Sequence, residues 1–290
     1  MIERRRVLIP HVDDLGCASG ANKAMVQLAA SGAVTSGSVM VPAMWFADVA
    51  SIASAEDLDL GVHLTLTSES AAARWRPVST TDRATGLFDP TGFMWPTVRE
   101  LRDSADPVAV AAEMRRQVDL AMSNGIDVTH LDHHMGAALA PEFVEHTVDL
   151  AIDFNLPMLF ASDIASMLAA VKLGEVDIAV LEAARRRATK HGVAVGDTFL
   201  MPLIHRGRSD HELVLKKCLA DVGPGVTYLS LHCSAPGDIE AVHPKDAAWR
   251  IGEYRVFRDA TFQEWLANQG IDIVGMRGFR DRLRGTTPSG

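Results

Sequence analysis

Three short segments gather groups that bind cations or move protons: His11-Val-Asp-Asp-Leu-Gly16, Gly61-Val-His-Leu-Thr-Leu-Thr67 and Thr129-His-Leu-Asp-His-His134. In the first, Asp13 and Asp14 are adjacent carboxylates that repel, and a nearby cation would keep both ionised. Alone, the pair also fits an acidic turn or a helix cap. In the second, strand alternation puts His63, Thr65 and Thr67 on one face, away from Val62, Leu64 and Leu66. A histidine buried there must be hydrogen-bonded or metal-bound, and a satisfied core histidine is the commoner case. In the third, His130, Asp132 and His134 recur at period two. So many ionisable groups in so few residues are hard to explain as packing, because each desolvated group needs a partner. Neutral imidazole and carboxylate are the ligands of zinc and other divalent cations. A fourth stretch, Tyr228-Leu-Ser-Leu-His232, ends an apolar run on an imidazole that suits general-acid work, or is a loop histidine.

These segments need a scaffold that brings distant parts of the chain together. Short β-like runs alternate with helical stretches, the pattern of a parallel α/β architecture. Strands are predicted at 7–12, 34–41, 60–67, 127–132, 157–160, 198–203, 227–232 and 271–274, and helices at 21–30, 106–124, 141–154, most of 162–191, 209–221 and 259–269. The helix at 106 opens on Asp106-Pro107, an N-cap followed by proline. The pattern points to one domain over 1–290, a distorted (β/α) barrel with about seven parallel strands; an open doubly wound sheet fits the same alternation. The motifs fall where strands end, the edge on which barrel active sites gather. Residues 68–105 break the rhythm, as a long loop insertion that could form a lid or substrate wall. Trp75 and Trp95 lie in it; with Arg250 they are candidate sugar contacts, although each tryptophan also fits a core or lid anchor.

Composition narrows the function classes. The chain has 290 residues, 48% of them hydrophobic, as in a globular protein with a sizeable core, and a formal net charge of −9, which disfavours nucleic acid as a partner. Cys17, Cys218 and Cys233 form no CxxC pair, which points to a reducing compartment; with no signal-peptide pattern and no long apolar run, a cytoplasmic protein away from membranes is expected. Neither Cys17 nor Cys233 has a local base that would mark a nucleophile. His205, Arg206, His211 and His243 sit in polar stretches and read as surface. No Gly-x-Ser-x-Gly elbow, P-loop or dinucleotide fingerprint is present.

Taken in order, Asp-Asp-Leu-Gly after the first strand, Gly-Val-His-Leu-Thr-Leu-Thr and Thr-His-Leu-Asp-x-His resemble the YdjC family of carbohydrate deacetylases, which includes chitooligosaccharide and hopanoid-associated sugar deacetylases. The likeness extends through Ala33-Val-Thr-Ser-Gly-Ser-Val-Met-Val41 and weakens after residue 140. It implies a divalent cation, zinc or magnesium, on Asp14, His63 and His134, with Asp13 as catalytic base and His232 as acid. Asp132 and His130 would orient the ligand histidines. The implied reaction is hydrolysis of an N-acetyl group on an amino sugar or short oligosaccharide, with a small carbohydrate as partner; a homo-oligomer is a fair default for such enzymes. Hydrolysis of another amide or ester, or sugar binding without turnover, are the alternatives. The sequence departs from the family pattern in Gly136, where a further histidine is usual, in His232-Cys233 for His-Pro, and in His11-Val12 before the aspartates.

Overall fold

The computed structural model describes residues 5–171, 173–202 and 210–286. Among them, nine strands form one sheet in the order β6-β5-β4-β3-β2-β1-β8-β7, with β9 beside β1. The strands are β1 (Arg6–Leu15), β2 (Ser36–Val39), β3 (Leu60–Leu64), β4 (Val128–His133), β5 (Met158–Leu159), β6 (Ala194–Val195), β7 (Thr198–Leu200), β8 (Gly225–Leu231) and β9 (Asp272–Ile273). Every pairing is parallel. Parallel neighbours need crossovers, and helices such as Ser19–Ala30, Phe46–Glu56, Pro107–Ser123 and Val144–Phe154 supply them.

One contact establishes the curl. In the sheet order β8 and β4 are separated by β1, β2 and β3, which in a flat sheet would put them about 19 Å apart. Yet the Tyr228 hydroxyl on β8 donates to Asp132 Oδ2 on β4 at 2.9 Å. The sheet therefore wraps round its own interior. Its two ends, β6 and β7, are joined by Gly196 and Asp197 alone. This is the expected distorted barrel, and one apolar core cluster packs it against the helices.

The interior face carries polar residues at period two: His11 and Asp13 on β1, Ser36 and Ser38 on β2, His63 on β3, His130 and Asp132 on β4, and Tyr228 and Ser230 on β8, all buried. Gly61 precedes His63 on the same face, and a Cβ there would lie 2.6 Å from Cδ2, Cε1 and Nε2 of the His130 ring. The glycine is needed for close approach.

Several elements differ from the sequence-based expectation. β3 stops at Leu64, not Thr67, because Gln117 takes over: its Oε1 accepts from Thr65 N at 2.9 Å and its Nε2 donates to Thr65 O at 2.7 Å. The 68–105 stretch is more ordered than a plain loop, with a 3₁₀ turn at Arg83–Thr85 and a helix at Val98–Ser104. Thr97 caps that helix, accepting from Glu100 N at 3.2 Å and donating to Glu100 Oε2 at 2.7 Å, an N-cap readable from Thr-x-x-Glu. Helices Ala247–Arg258 and Arg277–Arg284 were not anticipated, and two-residue β6 is too short to carry a pattern. The predicted spans 198–203 and 209–221 end or begin outside the described residues. No described helix is long and apolar enough to cross a membrane.

Gly61→Ala should destabilise the protein by about 1–3 kcal/mol, the usual cost of overpacking. Chemical denaturation would measure it, and an unchanged midpoint would mean that the His130 ring moves aside freely.

Candidate active site

Alternation along a strand sends adjacent side chains to opposite faces, so Asp13 and Asp14 should diverge. They do not, because the β1–β2 register shifts between Val12 and Leu15 and Asp14 takes a left-handed backbone, φ 61°. The bulge costs some strain. In exchange both carboxylates face the barrel mouth.

Asp14 Oδ1 lies 3.3 Å from His63 Nε2 and 3.0 Å from His134 Nδ1, while Asp14 Oδ2 accepts from the Arg250 guanidinium at 2.7 Å. Donor atoms of Asp14, His63 and His134 all lie within 4.8 Å of one another, and all three residues are buried. Ligands at about 2.0–2.1 Å from a tetrahedral zinc ion are about 3.4 Å apart, so the spacing and chemistry of this set fit a divalent cation. Burial alone would raise the Asp14 carboxyl, but Arg250 and then His134 hold it well below the usual carboxylate range.

Asp13 has a different environment. Its Oδ2 accepts from Ser230 Oγ at 2.5 Å, and His11 Nε2 is 3.2 Å from Oδ1. Burial pushes this carboxyl up to about 6, against the pull of His11 and His63. Neighbours in sequence, the two aspartates differ in proton affinity because one faces a guanidinium and the other does not.

Behind the donor set, Asp132 accepts from His63 Nδ1 at 2.8 Å, Ser38 Oγ at 2.8 Å and Tyr228 Oη at 2.9 Å. His11 is held by Ser36 and Ser38 at 2.8 and 3.0 Å. His130 sits deeper, its Nδ1 2.9 Å from Thr129 Oγ1 and its ring edge-on to His11. It is Asp132, not His130, that stands against His63. His232 Nε2 is 4.0 Å from Asp13 Oδ2, with its ring on Trp249 at 4.9 Å. Burial pushes this imidazole down to about 3, so it is neutral at neutral pH.

The candidate sugar contacts are placed otherwise. Trp75 is buried, donates Nε1 to Thr67 O at 2.8 Å and lies edge-on to His134 at 6.1 Å; Trp95 donates Nε1 to Gly86 O at 2.7 Å. Arg250 is on Asp14. Burial pushes Cys17 up to about 12, leaving no thiolate near neutral pH. His243, read as surface, is half-buried, and burial beside Arg250 pushes it down to about 4. His211 opens helix His211–Ala220, half-buried rather than in a loop, and its ring lies where a Cβ on Gly252 would be. His205 and Arg206 lie outside the described residues. At Gly136 the backbone is left-handed, φ 71°, and a Cβ would come within 2.8 Å of Val171 Cβ, so no histidine fits there without movement.

Two contributors, Glu69 and Glu253, escaped the sequence reading, and Arg250 was expected on the sugar rather than on Asp14. Glu69 Oε2 lies 2.8 Å from His134 Nε2; it continues the period-two series His63, Thr65, Thr67, which was the available signal. Arg250 and Glu253 come from the unanticipated helix Ala247–Arg258, whose buried Ala247, Ile251, Tyr254 and Phe257 have helical spacing. Glu253 accepts from His232 N at 2.7 Å and Trp249 Nε1 at 2.8 Å, and burial pushes it up to about 8.

A distorted parallel barrel with a buried His–His–Asp donor set at its carboxyl rim defines the class: a scaffold that delivers cation-binding groups where its strand-to-helix connections converge. The chain belongs to the YdjC-like protein family, whose sequence model matches residues 7–268. Relatives named carbohydrate deacetylase are 38% identical over 152 residues in Thermus thermophilus, covering 52% of each chain, and 27% identical over 154 residues in Thermoanaerobacter pseudethanolicus, covering 53% of this chain and 59% of that one. The chain thus spans about half the length of the curated relatives it matches. A candidate cellobiose-phosphate cleavage protein from Enterococcus faecalis V583 shares the fold, with TM-score 0.74 and 19% identity over 94% of this chain and 98% of that one.

Glu253 generates a stability prediction. Its carboxyl ionises near 4.5 when solvated and near 8 when folded, so the folded state holds the proton more tightly and stability is lost as pH rises across that window. Glu253→Gln should flatten this decline. Melting curves taken from pH 4.5 to 8 should show the variant gaining on the wild type; parallel trends would remove Glu253 as the cause.

Proposed function

We propose that this protein is a metal-dependent carbohydrate N-deacetylase that releases acetate from an N-acetylated amino sugar or short oligosaccharide. The observation that carries the reading is the convergence of His63 Nε2 and His134 Nδ1 on Asp14 Oδ1, with Asp13 beside it as a second carboxylate of different proton affinity. The name shared by the relatives supports the substrate class.

Asp14, His63 and His134 would hold the cation, which when bound polarises an amide carbonyl and acidifies a neighbouring water. Zinc suits two imidazoles and a carboxylate; magnesium would require more water in the shell. Asp13 accepts the proton of the attacking water, whose oxygen bonds to the carbonyl carbon. The C–N bond then breaks, and the departing nitrogen must gain a proton to leave as an amine. Asp13 holds that proton, and His232, with Nε2 4.0 Å from Asp13 Oδ2, is placed to pass it on; His11 is closer, at 3.2 Å, but its ring is held by Ser36 and Ser38. Because His232 is neutral, it serves as a transient carrier rather than a standing imidazolium. Acetate and a free amine leave, with one water consumed.

Acetate release from N-acetylated mono- and oligosaccharides, assayed with added zinc, magnesium or cobalt, tests the activity. Asp13→Asn should bind cation as the wild type does while its rate falls by about 10²–10⁴-fold, the usual worth of a general base. A variant that keeps most of its activity would overturn the base assignment, and wild-type protein that releases no acetate with any of these metals would overturn the deacetylase reading.

A further inference from the structure

Each histidine of the donor set is caught between two carboxylates. His63 faces Asp14 Oδ1 with Nε2 at 3.3 Å and Asp132 Oδ1 with Nδ1 at 2.8 Å. His134 faces Asp14 Oδ1 with Nδ1 at 3.0 Å and Glu69 Oε2 with Nε2 at 2.8 Å. We propose that Glu69 is the positioning residue for His134, fixing its proton on Nε2 so that Nδ1 binds the cation, as Asp132 fixes the proton of His63 on Nδ1 and frees Nε2.

The inference rests on the cation site proposed above and adds the group that orients it. An imidazole that gives one lone pair to a cation keeps its other nitrogen as N–H, which needs an acceptor. An ionised carboxylate only accepts, so Glu69 and Asp132 each claim the proton of the ring they touch. The two remaining lone pairs then point at one anionic oxygen of Asp14. With no proton among them those three atoms repel, and a cation resolves the conflict.

Glu69 is also held in place. Ser68 N donates to Trp95 O at 2.8 Å, Trp75 N donates to Ser68 Oγ at 3.2 Å, and Ser70 Oγ donates to Val242 O. Its second oxygen, Oε1, is buried without a hydrogen-bond partner among the described residues, and His134 is the first influence that holds this carboxyl below its ordinary range against burial. Glu69 lies early in the long connection between β3 and helix Val98–Ser104, which this contact ties to His134.

Cobalt(II) titration, followed by the ligand-field absorption of the bound ion with zinc competition, tests this without any assay of activity. Glu69→Ala should bind cobalt about 10–100-fold more weakly than the wild type, the usual cost of losing such a partner. Glu69→Gln keeps an oxygen that accepts the Nε2 proton and should recover most of that loss with an unchanged spectrum. Binding by Glu69→Ala within about twofold of wild type would overturn the proposal. So would a glutamine variant as weak as alanine with an altered spectrum, which would make Glu69 a direct ligand. If Glu69→Ala fails to fold, Glu69→Leu, closer in volume, takes its place under the same criteria. Wild-type protein that binds no cobalt or zinc would remove the cation site itself, an outcome distinct from an effect confined to Glu69.

Discussion

Oxygen Oδ1 of Asp14 faces two imidazole nitrogens at 3.0 and 3.3 Å, and that convergence sets what the rest of the fold must deliver. Asp14 and His63 come from the ends of β1 and β3, and His134 from the first position past β4, all far apart in the chain. A parallel sheet whose strands all end on one edge, and which then curls, brings such groups to a common point. The bulge and left-handed backbone at Asp14 complete the arrangement by turning a residue that strand alternation would direct elsewhere.

Charge in a buried site must be balanced, and the balance here is uneven by construction. Asp14 has a guanidinium on one oxygen and imidazoles on the other, so it stays ionised. Asp13 has a hydroxyl and an imidazole but no guanidinium, so burial dominates and its proton affinity rises. That division gives two adjacent carboxylates different proton affinities, the condition under which the proposed roles of cation ligand and base can be separated. Asp132 plays a third part, accepting from a ligand-type histidine, a serine and a tyrosine drawn from three strands. A fully satisfied buried network of this kind fixes side-chain orientation, and its members tolerate little displacement because each lost partner leaves a desolvated group unpaired.

The connections add what the strands lack. Helix Ala247–Arg258 supplies Arg250 against Asp14 and Glu253 against the backbone of His232. The connection after β3 supplies Glu69 and seats Trp75 against His134. Gln117, on helix Pro107–Ser123, ends β3 by bonding both backbone groups of Thr65, and Glu113, one turn before it, accepts from the backbone of Val78 and Ser79. One helix thus anchors both the strand that carries His63 and the loop that follows it.

Much was legible in order along the chain. Apolar runs ending in Asp-Asp, His and His-x-Asp-x-His marked the strand ends, and the alternation of strands and helices carried the parallel architecture, because side-chain period and crossover length are local properties. Distances between segments are not local. That Asp14 rather than Asp13 faces both imidazoles depends on a bulge with no signature in residue type. That Arg250 pairs with Asp14, and that Trp75 and Trp95 spend their indole N–H groups on backbone carbonyls, depends on which surfaces meet when the sheet closes. The residue types and their spacing determined the chemistry available to this protein; tertiary structure alone decided which charges became partners, since Coulomb energy and desolvation depend on three-dimensional separation and burial, and sequence separation constrains neither.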